Sequence, residues 1–262
     1  MNRMNGEFTV PSIIHLYNGT DPLEVNVDNL VAFLREHFPH SIINIREDFF
    51  RYWFQRCEKK EKKAMMIARR LAQARVRQPH KRQLNHDPLP GEISFERKFL
   101  AAGSGKPTGI LYDGHKLIAI YSDMFTPDEV SLEYCHIFLT NQLFGTWDKN
   151  DCRYHVRVSL YGFPSFISTR GIVEGPARPR EYYLGRRLGA GQADLEEAFH
   201  EQYIGHGDSR LQEVIKGYLL QVLFYHITGD PFCNDNECRL FNAHWQEEMI
   251  HAQMRPGTGL CT

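Results

Sequence analysis

Apolar residues recur at two different periods along this chain, and the change of period marks out its elements. Residues 9–17 are rich in β-branched and aromatic side chains and predict a strand with a Pro near its start, followed by the turn cluster Asn18-Gly19-Thr20-Asp21-Pro22. Leu30, Val31, Phe33, Leu34 and Phe38 then repeat at helical spacing behind Asp28, a candidate cap, until Pro39 stops them. Ser41-Ile42-Ile43-Asn44-Ile45 is a second strand, so the order β-α-β predicts a partly parallel sheet. A long helix is expected over 47–77, ended by Pro79, with a loop over 79–91. Residues 111–120 read as a hairpin turning at Asp113-Gly114. Strands follow at 134–139 and 154–160, and 162–191, rich in Gly, Pro and Arg, reads mostly as loop.

The strongest stripe lies in the last third. Leu211, Val214, Ile215, Tyr218, Leu219, Val222, Leu223 and His226 are three or four residues apart, which predicts a buried helix of about five turns. Asp208 or Ser209 is its candidate cap, and Gly229 its stop. A last helix is expected over 242–254. No flexible linker separates the halves, so one domain is expected over 1–262. Its parts are an N-terminal β-α-β with a long helix (9–110), a central sheet and core helix (111–229) and a Cys-containing end (230–262).

Composition narrows the setting. At 262 residues, 42% hydrophobic and 24% charged, the chain has the make-up of an ordinary globular protein. It has no apolar run of about 18 residues and no apolar leader after Met1, so a cytoplasmic location is expected. In a reducing compartment its six cysteines are expected as thiols or metal ligands rather than as a disulfide framework.

Net charge is −1 but unevenly spread: residues 56–82 hold eleven Lys and Arg against Glu58 and Glu61. Such a block offers contacts to phosphate, which makes a nucleic-acid partner one reading; a solvated helix face is the other. Gly103-Ser104-Gly105-Lys106-Pro107-Thr108-Gly109 lacks the frame of a phosphate loop, because Pro107 follows the Lys.

One segment points to a chemistry: Tyr225-His226-Ile227-Thr228-Gly229-Asp230-Pro231-Phe232-Cys233-Asn234-Asp235-Asn236-Glu237-Cys238. Zinc peptidases of the metzincin type place two His four residues apart on one helical face. A Glu base follows the first, a turning Gly stands three residues after the second, and a third His three residues beyond that. With His226 as the second His and Gly229 as the Gly, Cys233 and Cys238 fall where archaemetzincins carry their first two metal-binding cysteines. Asn242-Ala243-His244-Trp245-Gln246-Glu247-Glu248 is similar to the stretch that follows in that family, and Cys261 stands at one of its last two cysteine positions. The chain therefore resembles archaemetzincins over roughly 117–261, most firmly over 226–248.

The resemblance implies an α/β, zincin-like fold: a mixed sheet, a buried helix of the active-site type and a C-terminal, Cys-containing helical subdomain. It also implies a structural zinc on Cys233, Cys238 and Cys261. The departures are as informative. The first His, base and third His positions hold Val222, Leu223 and Phe232, so His226 is the residual catalytic residue and no catalytic zinc is expected. The first expectation is thus a pseudo-peptidase that binds a peptide or protein partner. Its site would lie between the helix ending at His226 and the strand carrying Tyr154, His155, Arg157 and Ser159, because the family's active members order an extended substrate on such a strand. The second is a metal-dependent hydrolase with a rebuilt site, using His226 with His244, Glu248 and His251, three residues at helical spacing. The third is a nucleic-acid-associated protein acting through residues 56–82.

Overall fold

The computed structural model describes residues 9–21, 23–82, 86–102 and 109–254, with backbone alone at 101 and 102. The chain is mixed α/β. Strand β1 (Ile13–Gly19) pairs in parallel with β2 (Ile42–Arg46) on one side. A smaller sheet joins β3 (Leu111–Asp113), β5 (Leu143–Asp148) and β6 (Arg153–Arg157). On its other side β1 pairs with β4 (Tyr134–Thr140), and β8 (Ser165–Ser168) extends the parallel run beyond β4. The two-residue β7 (Ser159–Leu160) closes that edge antiparallel, giving the order β2-β1-β4-β8-β7. The strand expected over 154–160 is therefore two short strands, β6 and β7, which serve different sheets.

Parallel strands need cover on both faces, and β1 and β4 are buried along almost their whole length. Ile14, Leu16, Ile137 and Leu139 face one core, and Tyr17 and Phe138 face a second, aromatic one. The first core is covered by α1 (Val27–His37), the crossover between β1 and β2, and by the late helix of the stripe. Asn26, not Asp28, caps α1, its side chain accepting the N–H of Asn29; Asp28 lies in the first turn.

The second core is covered by α2 (Phe49–Gln55), α3 (Lys60–Ala74) and α5 (Gly114–Ser122), with α4 (Pro90–Ala102) packed on α3. Two expectations are corrected here. The helix over 47–77 is broken at Lys59, whose φ of 53° is left-handed. Asp113-Gly114 does not turn a hairpin: the Asp113 carboxylate accepts the N–H groups of His115 and Lys116 and caps α5. The loop over 79–91 runs into α4 at Pro90.

Residues 162–191 are more ordered than their composition suggests, holding β8, α6 (Thr169–Glu174) and α7 (Arg180–Arg187), with α8 (Gln192–Phe199) following. The stripe forms α9 (Leu211–Thr228), ended by Gly229 in the left-handed region at φ 79°. Neither Asp208 nor Ser209 is its cap; Arg210 takes that place with no side-chain bond. The last helix, α10 (Gln246–Gln253), starts four residues later than expected. It packs on α9 where Gly217 leaves room, since a Cβ there would meet Gln253 Oε1 at 1.4 Å.

The basic segment is largely engaged within the chain. Arg69 pairs with Asp87, Arg70 with Asp123, Arg75 with Glu96 and Arg77 with Glu92, at 2.6–2.8 Å. Arg56 and Lys63 lie over the rings of Tyr52 and Trp53. Among the described residues no helix is long and apolar enough to cross a membrane. The segment Gly103–Thr108 lies outside the described residues.

Candidate functional site

A cleft of about 720 Å³ opens between the two sheets and the C-terminal segment. One wall is the 153–161 run, from which His155, Arg157, Ser159 and Tyr161 face the opening. Residues 241–245 form the opposite wall, and Tyr218 and Gln221 of α9 the floor. The strand wall follows from the pleat: alternate residues of β6 share a face, so His155 and Arg157 point one way. Tyr154 points the other way, where it is buried and donates its hydroxyl to Asp113.

The floor is a chain of hydrogen bonds. Ser159 Oγ donates to the Tyr161 hydroxyl at 2.7 Å, which donates to Gln221 Oε1 at 2.7 Å. Gln221 Nε2 in turn donates to the carbonyls of Arg239 and Phe241. Burial pushes the hydroxyls of both Tyr161 and Tyr218 well above the usual phenol range, so both stay protonated. This network went unread in the sequence, and its one available signal was Gln221, a polar residue inside the apolar stripe.

The helix presents a different face to the cleft from the one the zinc-peptidase frame requires. Val222 and Leu223 are fully buried in the first core. His226 lies at the far end of α9, where its Nε2 is 2.8 Å from the carbonyl oxygen of Leu132, and it does not line the cleft. The cleft-facing positions are Tyr218 and Gln221, with the Tyr225 ring tilted against that of Tyr161, and Tyr161 in turn edge-on to Phe232.

Residues 10–262 match the description Probable metallopeptidase family (DUF6775). The chain belongs to that family. Comparison with curated proteins gives no match, and neither does comparison with solved structures.

Membership implies a metal, and the donors at the zinc-peptidase positions do not fit one. Catalytic zinc needs three protein ligands and an open water position. Here the first and third His positions hold aliphatic Val222 and aromatic Phe232, and the single imidazole between them in the sequence already meets a backbone carbonyl. The other candidates are dispersed as well. His244 lines the cleft but precedes α10, and the Glu248 carboxylate accepts the backbone N–H groups of His244 and Trp245 as a capping box. His251 points to Glu237, its Nε2 2.8 Å from Oε1.

Among the described residues, one group of three donors comes within 4.8 Å: Asp148, Asp151 and His155, on the β5–β6 hairpin. The sequence reading missed it because its members join two strands across a turn. Asp151 is already shared, with Arg153 Nε at 2.8 Å and His155 Nε2 at 2.7 Å, and these two neighbours hold its carboxyl below the usual range.

Cys233 and Cys238 lie in one loop. Cys238 is buried against Leu220 and Leu240, and Cys233 is half-buried beside it. Each sulfur accepts a backbone N–H from two residues on, Asp235 at 3.4 Å and Leu240 at 3.5 Å. Two sulfurs suit a soft tetrahedral metal but leave its set incomplete. Cys261 lies outside the described residues.

A second polar cluster sits between β1, β2 and β4. Arg46 makes a two-pronged pair with Glu129 and also donates to the Tyr17 hydroxyl and to His15 Nε2. His136 bonds to Tyr17 and to the Glu129 carbonyl. Burial, helped by the Arg46 charge, brings His15 down to about 3. Burial brings His136 down to about 4.

Proposed function

We propose that this member of the metallopeptidase family is a pseudo-peptidase that binds an extended peptide in the cleft without cleaving it through a zinc of the usual frame. The observation that carries this reading is the rotation of α9: the cleft meets Tyr218 and Gln221, while Val222, Leu223 and His226 are committed elsewhere. The archaemetzincin likeness of 226–248 adds to it, since a binding cleft can outlast its metal. β7 is the outermost strand of its sheet, and an outermost strand is where an extended peptide pairs. Trp147, Tyr161 and Trp245 offer flat apolar surface to peptide side chains.

One zinc, if bound, would then be structural, held by Cys233, Cys238 and Cys261. The rival reading, a metal-dependent hydrolase, has the Asp148–Asp151–His155 group in its favour, because His155 also lines the cleft. The rebuilt site on His226, His244 and His251 has no such support, since each imidazole has a different setting. The nucleic-acid reading is weakened by the internal pairing of Arg69, Arg70, Arg75 and Arg77.

The test is a mixture of unlabelled peptides incubated with zinc-loaded protein, followed by mass spectrometry, beside a binding measurement on the same mixture. Retained but intact peptides are expected. Cleavage that a chelator abolishes and that His155→Ala removes would replace this reading with the hydrolase.

A further inference from the structure

The cleft has a sign. Among its lining residues are Arg153 and Arg157 and the imidazoles of His115, His155 and His244, and none of the described ones is Asp or Glu. Asp151, just outside, takes up Arg153 and His155. Arg157 is different: among the described residues it has no acidic partner. Its Nε donates to Thr146 Oγ1 at 2.8 Å, from the strand that β6 pairs with. That bond fixes the plane of the guanidinium and spends one of its five N–H groups, and among the described residues nothing bonds to the terminal fork. A half-buried guanidinium held in one orientation at the wall of an open cleft is set to receive a ligand. The partner it matches best is a carboxylate, taken by two parallel hydrogen bonds.

We infer that Arg157 is the specificity-determining residue of the cleft and that the peptide it selects carries a carboxylate, from an acidic side chain or from its own C-terminus. The inference rests on the cleft being a peptide site. Ser159 lies two residues along the same wall and the aromatic surfaces of Trp147 and Trp245 border it, so the anion anchors a peptide whose neighbouring side chains lie on apolar surface.

Isothermal titration with three N-acetylated pentapeptides tests it: one with a central Glu and an amidated end, its Gln counterpart, and the Gln peptide with a free C-terminal carboxylate. At low salt, one or both acidic peptides should bind at least ten times more tightly than the neutral one, and which of them does so identifies the source of the carboxylate. Arg157→Gln should bring that ratio to within about twofold. Arg157→Lys, which keeps charge but not the fork, should fall between the two, with a circular-dichroism melt of each variant as the folding control. Raising salt should narrow the preference, because the site opens to solvent. Equal affinities for all three peptides, or a preference that survives Arg157→Gln, would overturn the inference and leave the peptide reading standing. N-acetylglutamate bound as tightly as any peptide, through Arg157, would remove the peptide reading and keep the anion site.

Discussion

Tyr161 donates its hydroxyl to Gln221 Oε1 across 2.7 Å, tying the strand wall of the cleft to the core helix beneath it. Tyr161→Phe should leave Gln221 Oε1 without its donor and Ser159 Oγ without its acceptor. A cost of about 1–3 kcal/mol is expected in urea unfolding, with peptide affinity reduced as the wall loosens. Combined with Gln221→Leu, the losses should be less than additive, since the two residues share one bond. Strict additivity in the double-mutant cycle would show that the pair is not coupled.

His226 is tied to Leu132, outside the cleft. His226→Ala should therefore cost about 0.5–1.5 kcal/mol of stability, the worth of one net hydrogen bond, and leave peptide affinity within a factor of two. Side-by-side unfolding and titration would check both numbers. A large fall in affinity with little change in stability would place the imidazole in the binding site after all.

Glu96 is 2% exposed and meets Arg75 Nε at 2.6 Å, with the Tyr112 hydroxyl as a second donor. Burial raises its carboxyl, and Arg75 works against that rise. Arg75→Met should leave the carboxylate buried without its cation and destabilise the fold by roughly 3–5 kcal/mol. Arg75→Met with Glu96→Leu should recover much of that loss. Chemical unfolding of the three variants decides it.

Acid should weaken the fold early. His15 and His136 stay neutral down to about 3 and about 4, whereas in the unfolded chain they take up protons near 6.5. The unfolded state therefore binds more protons below pH 6.5. Stability is complete above that value and falls as pH drops toward 4, by roughly 1.4 kcal/mol per pH unit for each histidine. Glu129, held low once Arg46 outweighs its burial, adds a loss of the same sign further down. Unfolding midpoints between pH 7 and 4 should show this slope, and His136→Asn should make it shallower. An unchanged slope in that variant would remove His136 as a source.

The apolar stripe of α9 and its glycine stop were legible in the sequence, and so were β1, α1 and β2 as a parallel unit. The orientation of α9 was not. Every position from Leu211 to Leu223 is buried or half-buried, so burial runs all round this part of the helix and periodicity does not say which side meets the cleft. The frame drawn from His226 and Gly229 put Val222 at a ligand position, whereas the cleft meets its neighbour Gln221. Asp113-Gly114 misled for a related reason: the same pair suits a hairpin turn and a helix start, and only the partner of β3, the parallel β5, decides between them. His155, Arg157 and Ser159 were placed on one polar face by simple alternation. The hairpin group with Asp148 and Asp151 needed the register of β5 against β6, which no local pattern supplies.

The contact at Gly217 reaches further than its size suggests. Because the Gln253 amide occupies the space a methyl group would need, an alanine there has to turn that side chain aside. The same amide donates to the Arg239 carbonyl that Gln221 also grips, so turning it aside would leave the segment leading to the 241–245 wall held by Gln221 and without one of its two ties there. A single added carbon, one residue from Tyr218 in the cleft floor, should thus act on the opposite side of the cleft through a bond that it never touches.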